Sequence, residues 1–443
     1  MIRTDKWPLQ ASFEQQRHIQ ETVLKYRAYC RALSVVILNN WPHLQGQASF
    51  AAAVERLVHP TSKNPNTRHT YFQNNFYKFP SYLRRAAIEF VAGQVSSYLT
   101  RYERWRSGIR SSKKSKPPVF NIDTGCYPAL YQGQMFKIRD DNNVELKLWN
   151  GKEWRWSILQ IKSKRKRHLH GVLKSPSLIF HPNKRNGLYL SVPIELKPKR
   201  KVALGKVCAV DVGINTLATC SIIKQDGTVV ARKFIHPAAD IDHRNKQARL
   251  IRTSAKKTKN LSTGFCSTRY RKAKNINNQI AHVTSNEIIR FAAQHEANVI
   301  VFEDLKGWRP KAGRTKSPLK QRFHQWLHRK LVTLTEDKFK EQGGKVSYIY
   351  ARGTSSNAYD GSGKLKRSKE QYELATFANG KKYNCDLSAS YNIGARYWAN
   401  ELKLIHCKDG QVVSGKSSGT TPRIPVTLST LWAWSVGCRS SNL

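Results

Sequence analysis

The chain has 443 residues, with 77 Lys and Arg against 29 Asp and Glu and a formal net charge of +48. An excess this large strains a compact protein through self-repulsion but suits one held on a polyanion, so nucleic acid is the expected partner. A membrane protein is not expected, because no run approaches the ~18 apolar residues of a spanning helix and no basic amphipathic helix stands out.

The first residues, Met1 to Trp7, lack the apolar core of a signal peptide. The eight cysteines (30, 126, 208, 220, 266, 385, 407 and 438) show no disulfide spacing and no CxxC pair. Several lie in apolar runs, as buried free thiols do. A cytoplasmic location is expected.

Phe13 to Leu38 and Tyr82 to Trp105 carry apolar residues at helical spacing. Between them, Tyr71 to Pro80 interleaves aromatics with amides and a lysine. Asn and Gln suit adenine edges, and Lys suits guanine or phosphate. Asn74, Asn75 and Lys78 are therefore candidate nucleic-acid contacts, with helical core aromatics as the competing reading of the segment. Ser107 to Pro118 is basic and broken by Ser, Gly and Pro, as a linker is.

From about 119 to 200 the pattern changes to short strands. Val144 to Trp149 alternates apolar and polar and runs into Asn150-Gly151, a two-residue hairpin signal. Leu178 to Phe180 and Leu188 to Ile194 add two strands, and a small barrel is expected. Trp149, Trp154 and Trp156 suit either stacking on RNA bases or packing in the hairpin core. Lys162, Lys164, Arg165, Lys166 and Arg167 are phosphate-contact candidates, the alternative being a solvated charge run.

From 201 the pattern is α/β. Val207 to Val210, Leu217 to Ile223 and Thr228 to Phe234 read as strands. A basic helical hairpin follows, Arg244 to Lys259 and Arg269 to Ala293. Val299 to Phe302 is a strand, Phe323 to Gln342 a helix, Lys345 to Tyr350 a strand and Asn392 to Leu402 a helix. The segment after 405, rich in Gly, Ser, Thr and Lys, is expected to be a disordered basic tail. Within it, Gly410 to Ser417 fits the phosphate-loop pattern, but Gly419 and Pro422 oppose the helix that pattern requires, so the match is accidental.

Three acids stand at the ends of apolar stretches or helix starts: Asp211 after Val207 to Val210, Glu303 after Val299 to Phe302, and Asp386 before Leu387 and Ala389. Carboxylates converging at a sheet edge can hold two divalent ions, the usual machinery for hydrolysing a phosphodiester. Taken singly, each has a structural reading as a turn acid, or for Asp386 as a helix cap. Their combination points to Mg²⁺, with Mn²⁺ able to substitute. Arg367, shortly before Asp386, is a candidate transition-state arginine.

AVDVGINTLATCSI (209–222), VIVFEDLKGW (299–308) and CDLSASYNIGARYW (385–398) together resemble the three RuvC motifs of transposon-encoded TnpB proteins and the related compact type V CRISPR effectors. Phe323 to Leu327, Val346 to Tyr350 and Gly353 to Ser356 fall where that family has a helix, a strand and a Thr-Ser turn. The resemblance covers roughly 178 to 398. It implies an α/β RuvC (RNase H-like) nuclease domain, preceded by a small β-barrel wedge domain that carries a helical recognition-lobe insertion. The implied divisions are 1–12 and 119–200 for the wedge, 13–118 for the lobe and linker, 201–350 and 383–404 for RuvC, and 405–443 for the tail. The implied activity is RNA-guided, metal-dependent DNA cleavage next to a short flanking motif. The implied partners are guide RNA, double-stranded target DNA and its displaced strand. Asp211, Glu303 and Asp386 fall on the family's catalytic acids. A non-cutting RNA-guided binder and a guide-independent nuclease or recombinase of the same fold are the alternatives.

The chain departs from the family at 351–382, where a zinc ribbon with two CxxC pairs is usual. The positions that should be Cys are Ala358, Gly361, Thr376 and Asn379, although Gly363 and Gly380 remain ribbon-like. Zinc in a four-thiolate site is not expected.

Overall fold

The computed structural model describes residues 1–62, 64–76, 78–109, 116–163, 168, 170–182, 187–213, 216–259, 261–305, 327–368, 370–371, 373–406, 412–414 and 426–440. It divides into two compact units, Met1–Lys197 and Pro198–Leu443.

The first unit is a curled antiparallel sheet sharing one hydrophobic core with helices. Its elements are β1 (Ile2–Gln10), α1 (Phe13–Asn39), α2 (Trp41–Gln45), α3 (Phe50–Val58), α4 (Tyr71–Asn75), α5 (Ser81–Arg106), β2 (Phe136–Ile138), β3 (Asn143–Trp149), β4 (Trp154–Ile161), β5 (Val172–Leu173), β6 (Ser177–Phe180) and β7 (Leu188–Glu195). The sheet order is β2-β3-β4-β1-β7-β5, with β6 also on β7. β1 joins the two halves: residues 2–8 pair with β7, while Leu9 and Gln10 pair with β4. The segment before β2 reaches β6 through Leu130 N to Pro176 O at 2.7 Å and Leu178 N to Pro128 O at 3.0 Å. α1 starts at a capping box: Ser12 accepts from the Gln15 amide, and the Gln15 side chain accepts from the Ser12 amide. Its buried residues, among them Ile19, Val23, Tyr26, Cys30, Leu33 and Ile37, form the apolar stripe the spacing predicted.

The hairpin at Asn150-Gly151 is not the expected two-residue turn. Trp149 pairs with Trp154, so residues 150–153 form the loop. The Asn150 side chain accepts from the Lys152 and Glu153 amides at 2.9 and 2.8 Å, and this side-chain turn stabilises the longer loop.

The second unit contains β8 (Lys206–Asp211), β9 (Ala218–Lys224), β10 (Val229–Ile235), α6 (Ala238–Thr258), α7 (Ser267–Gln294), β11 (Val299–Asp304), α8 (His328–Glu341), β12 (Lys345–Tyr350), β13 (Lys366–Arg367), β14 (Leu374–Thr376), β15 (Lys382–Asn384), α9 (Cys385–Glu401), β16 (Leu404–His406), β17 (Val412–Ser414) and α10 (Leu428–Ser440). The main sheet runs β10-β9-β8-β11-β12. Its first three strands are antiparallel, and β11 and β12 are parallel to β8. This is the strand order of an RNase H-like sheet, as expected.

β8 and β11 are apolar at consecutive positions because both sheet faces are covered. Cys208, Val210, Ile300 and Phe302 pack with Ile288, Phe291, Leu331 and Phe339 of α7 and α8. Val207, Ala209, Val299 and Val301 pack with Leu387, Tyr391, Ile393 and Trp398 of α9. α9 lies close on β9: a Cβ on Gly394 would stand 2.4 Å from Ile223 Cδ1, and Trp398 Nε1 donates to the Ile223 carbonyl at 3.1 Å.

Three expectations change. The helix foreseen from Phe323 starts at His328, and residues 306–326 lie outside the described residues. The helix start foreseen at Asp386 and the helix foreseen from Asn392 are one element from Cys385, capped by the Asn384 side chain. The disordered tail after 405 is corrected in part: β16 pairs with β17, and α10 buries Leu428 and Leu431 against α9. Composition pointed to disorder because the apolar surface that receives those leucines lies elsewhere in the chain. The accidental phosphate-loop match lies outside the described residues apart from Val412–Ser414.

Candidate active site

Strand pleat puts two of the acids on one sheet face. Side chains two apart share a sheet face, so Asp211 follows Val207 and Ala209, and Glu303 follows Val299 and Val301. Those four apolar residues pack on α9, and α9 carries Asp386 in its first turn. β8 and β11 are parallel, with Ile300 opposite Cys208 and Val301 opposite Ala209. Two residues further along both strands stand Glu303 and Asp211.

Asp386 is not the helix cap. Asn384 fills that role, its Oδ1 accepting from the Asp386 and Leu387 amides at 3.0 and 2.9 Å. The Asp386 carboxylate is thereby free of capping duty and sits at the positive end of the helix dipole.

The charges of Glu303 and Asp386 both reach Asp211. Burial holds Asp211 well above the usual carboxylate range, and the charges of Glu303 and Asp386 push it further; Arg367 and the Val212 amide oppose this. Burial also raises Glu303, opposed by the Thr354 hydroxyl and the Arg396 charge. Burial raises Asp386, opposed by the Cys385 thiol and Arg367. The Cys385 thiol, 3.5 Å from Asp386 Oδ1, is itself pushed up to about 11 by burial and that neighbour. Arg367, on β13 and exposed, donates to the Ser355 carbonyl at 3.3 Å, and its field reaches both Asp211 and Asp386. The chemistry of this donor set fits a divalent cation: all-oxygen, half-buried, and with Asp211 repelled by the other two acids. Among the described residues, no three His, Cys, Asp or Glu side chains already stand in a metal-holding arrangement.

The ribbon-like segment beside the acids is held without thiolates. Ala358 is fully buried. Gly361, at φ +79°, lies against Ser429 of α10, where a Cβ would stand 2.7 Å from Ser429 Oγ. Thr376 is a strand residue of the β13-β14-β15 sheet. Asn379 donates to Asp360 Oδ2 at 3.1 Å. Tyr359 packs with Phe377, Tyr383 and Tyr391, and Lys381 Nζ donates to the Tyr359 hydroxyl at 2.7 Å.

The nucleic-acid candidates all lie in the first unit. Asn74 is exposed. Asn75 turns back on its own helix, donating to the Tyr71 carbonyl at 3.0 Å. Lys78 is exposed with a left-handed backbone, φ +58°. The neighbouring aromatics are core: Phe72, Phe76 and Phe79 surround Tyr29. Trp149 and Trp154 pack with one another, and Phe79 packs on Trp154. Trp156 lies under Lys137. Lys162 lines a cleft of about 420 Å³ with Phe13, Arg17, Gln20 and His181. Lys164, Arg165, Lys166 and Arg167 lie outside the described residues. Sequence reading missed Asn392 and Arg396, although polar residues recurring every four positions in an apolar helix were a usable signal, and it placed Thr354 in a Thr-Ser turn without giving it a role at the acids.

Residues 3–150 match the family model described as the Aq_aa04 family. A TnpB-like protein of Aquifex aeolicus (strain VF5), aq_aa05, is 27% identical over 150 residues, which is 32% of this chain and 46% of that protein. The match thus spans about half the length of that relative. CasPhi-2 (Cas12j), solved bound to crRNA and phosphorothioate-DNA, superposes with a TM-score of 0.50 at 10% identity, over 89% of this chain and 91% of that one. The mini-RNA-guided endonuclease CRISPR-Cas_phi3 gives a TM-score of 0.48 at 11% identity, over 89% and 92%. The resemblance read from the three acidic motifs is borne out: the chain is similar in sequence to a TnpB-like protein and in fold to a compact type V CRISPR effector.

Proposed function

We propose that the protein is an RNA-guided DNA endonuclease that cuts target DNA beside a short flanking motif. The observation that carries this reading is the strand pleat that brings Asp211 and Glu303 to the sheet face covered by the helix bearing Asp386. In this reading the three carboxylates hold two Mg²⁺ ions, or Mn²⁺ in their place. Such ions, when bound, activate the attacking water and stabilise the leaving oxygen. Arg367 offers positive charge to the phosphate that develops negative charge in the transition state.

Guide RNA and target DNA are the proposed ligands of the remaining basic surface, with the displaced strand directed to the acids. The curled sheet of 1–12 and 119–200 serves as the wedge, and 13–118 as the recognition lobe. The exposed Phe13 with Arg17 and Lys162 gives a stacking and phosphate-contact surface for RNA. Asn74, Asn75 and Lys78 are proposed contacts to the flanking duplex, which requires the Asn75 side chain to leave its helix.

Asp211→Ala is expected to abolish cutting of a matched plasmid in Mg²⁺ while the protein keeps its RNA. Undiminished cutting by purified Asp211→Ala would sink the catalytic assignment. The loss of the ribbon thiolates favours a second reading, an RNA-guided binder that does not cut. A wild-type protein that binds a matched plasmid without nicking it would establish that alternative.

A further inference from the structure

The helix that carries Asp386 also carries a polar stripe. Ser388, Asn392 and Arg396 recur every four residues and so share one face, in a helix most of whose side chains are buried. All three bond to the backbone of one segment, residues 350–359, which leaves β12 and runs back along α9. Arg396 Nη1 donates to the Tyr350 and Arg352 carbonyls at 2.9 and 2.8 Å. Asn392 Nδ2 donates to the Thr354 and Asn357 carbonyls at 3.0 and 2.9 Å. Ser388 Oγ accepts from the Tyr359 amide at 3.1 Å.

Asn392 and Thr354 are almost fully buried. A buried NH2 is costly unless bonded, so the two bonds from Asn392 Nδ2 hold the segment in one place, while Oδ1 of the same amide has no partner among the described residues. The place they hold matters. Thr354 Oγ1 bonds Glu303 Oε1 and lies 2.8 Å from the Ala351 carbonyl, so the hydroxyl is pinned between the loop and the acid.

We infer that the ladder of Ser388, Asn392 and Arg396 orients the Glu303 carboxylate through Thr354, which makes Thr354 a positioning residue for a metal-binding acid. The inference rests on the nuclease reading above. Groups that orient a metal ligand commonly matter nearly as much as the ligand does, because they set its rotamer before the ion arrives.

The test compares wild type, Thr354→Val and Thr354→Ser as full-length protein carrying its co-purified RNA. Three quantities are read: Mn²⁺ affinity by electron paramagnetic resonance without DNA, single-turnover cutting across Mg²⁺ concentrations, and binding of matched DNA. Thr354→Val is expected to lose about 10-fold in Mn²⁺ affinity and in cutting at limiting Mg²⁺. Excess Mg²⁺ should recover part of the rate, Thr354→Ser should restore both quantities, and DNA binding should stay unchanged. Wild-type Mn²⁺ affinity in Thr354→Val would overturn the inference while leaving the nuclease reading intact. Should Thr354→Val fail to fold, Arg396→Gln carries the same expected loss of Mn²⁺ affinity and the same overturning result. A wild type that binds Mn²⁺ but never cuts defeats the nuclease reading alone, and the affinity comparison still decides the inference. A wild type that binds no Mn²⁺ overturns both.

Discussion

At the scale of single residues, the three acids oppose folding in the absence of metal. Each carboxylate is held above its ordinary range, by burial first and, for Asp211, by its acidic neighbours as well. Between the unfolded and the raised folded values the native state therefore binds more protons than the unfolded chain. Stability must fall as pH rises through that window, and return as pH drops and the acids protonate. Asp211→Asn removes one charge from the cluster. Without divalent metal at pH 8 it should melt above wild type by roughly 2–4 °C, the shift typical of a small change in stability in a unit of this size. The gap should shrink as pH falls towards the ordinary carboxylate range. Added Mg²⁺ should stabilise wild type and leave Asp211→Asn nearly unmoved, because a ligand stabilises only the state that binds it. Differential scanning fluorimetry across pH reads all three effects, and a gap independent of pH would show that repulsion is not its cause.

At the scale of elements, the ribbon-like segment is joined by packing and hydrogen bonds among its own side chains. The four positions where the resemblance places thiolates hold a buried alanine, a left-handed glycine against α10, a strand threonine and an asparagine bonded to Asp360. Their cohesion comes from the aromatic group of Tyr359, Phe377, Tyr383 and Tyr391, capped by Lys381. Aromatic pairs in offset or edge-on geometry add to plain area burial. A zinc-selective chelator should therefore leave hydrogen-exchange protection of 374–384 unchanged. Phe377→Ala should lower it, since deleting a buried phenylalanine side chain costs about 3 kcal/mol or more. Loss of protection on chelation would show that a metal holds the segment after all.

At the scale of the whole molecule, a net charge of +48 makes affinity for nucleic acid a matter of counterion release. With about six to ten phosphates neutralised, binding of the co-purified RNA should weaken by roughly 10³-fold or more between 50 and 200 mM salt. Lys162→Ala should reduce the slope of log affinity against log salt by about one if that lysine meets a phosphate. An unchanged slope would remove it from the RNA surface. Titration by fluorescence anisotropy at several salt concentrations measures both quantities.

Much of the second unit was legible in the sequence because its signals are local. Continuous apolar runs marked β8 and β11 as strands covered on both faces, and an acid ended each one. Asp386 was legible as an acid at a helix start, and the competing reading of it as the cap fails because Asn384 two residues earlier takes the amides. Composition alone pointed to a polyanion partner, since charge sums without regard to fold. Whether three acids distant in sequence meet depends on strand register and on which face a helix covers, and the tertiary structure decided both. The same holds for the polar ladder on α9, whose partners are backbone groups that no side-chain pattern encodes. It holds too for α10, whose leucines read as part of a polar tail until the surface that buries them exists.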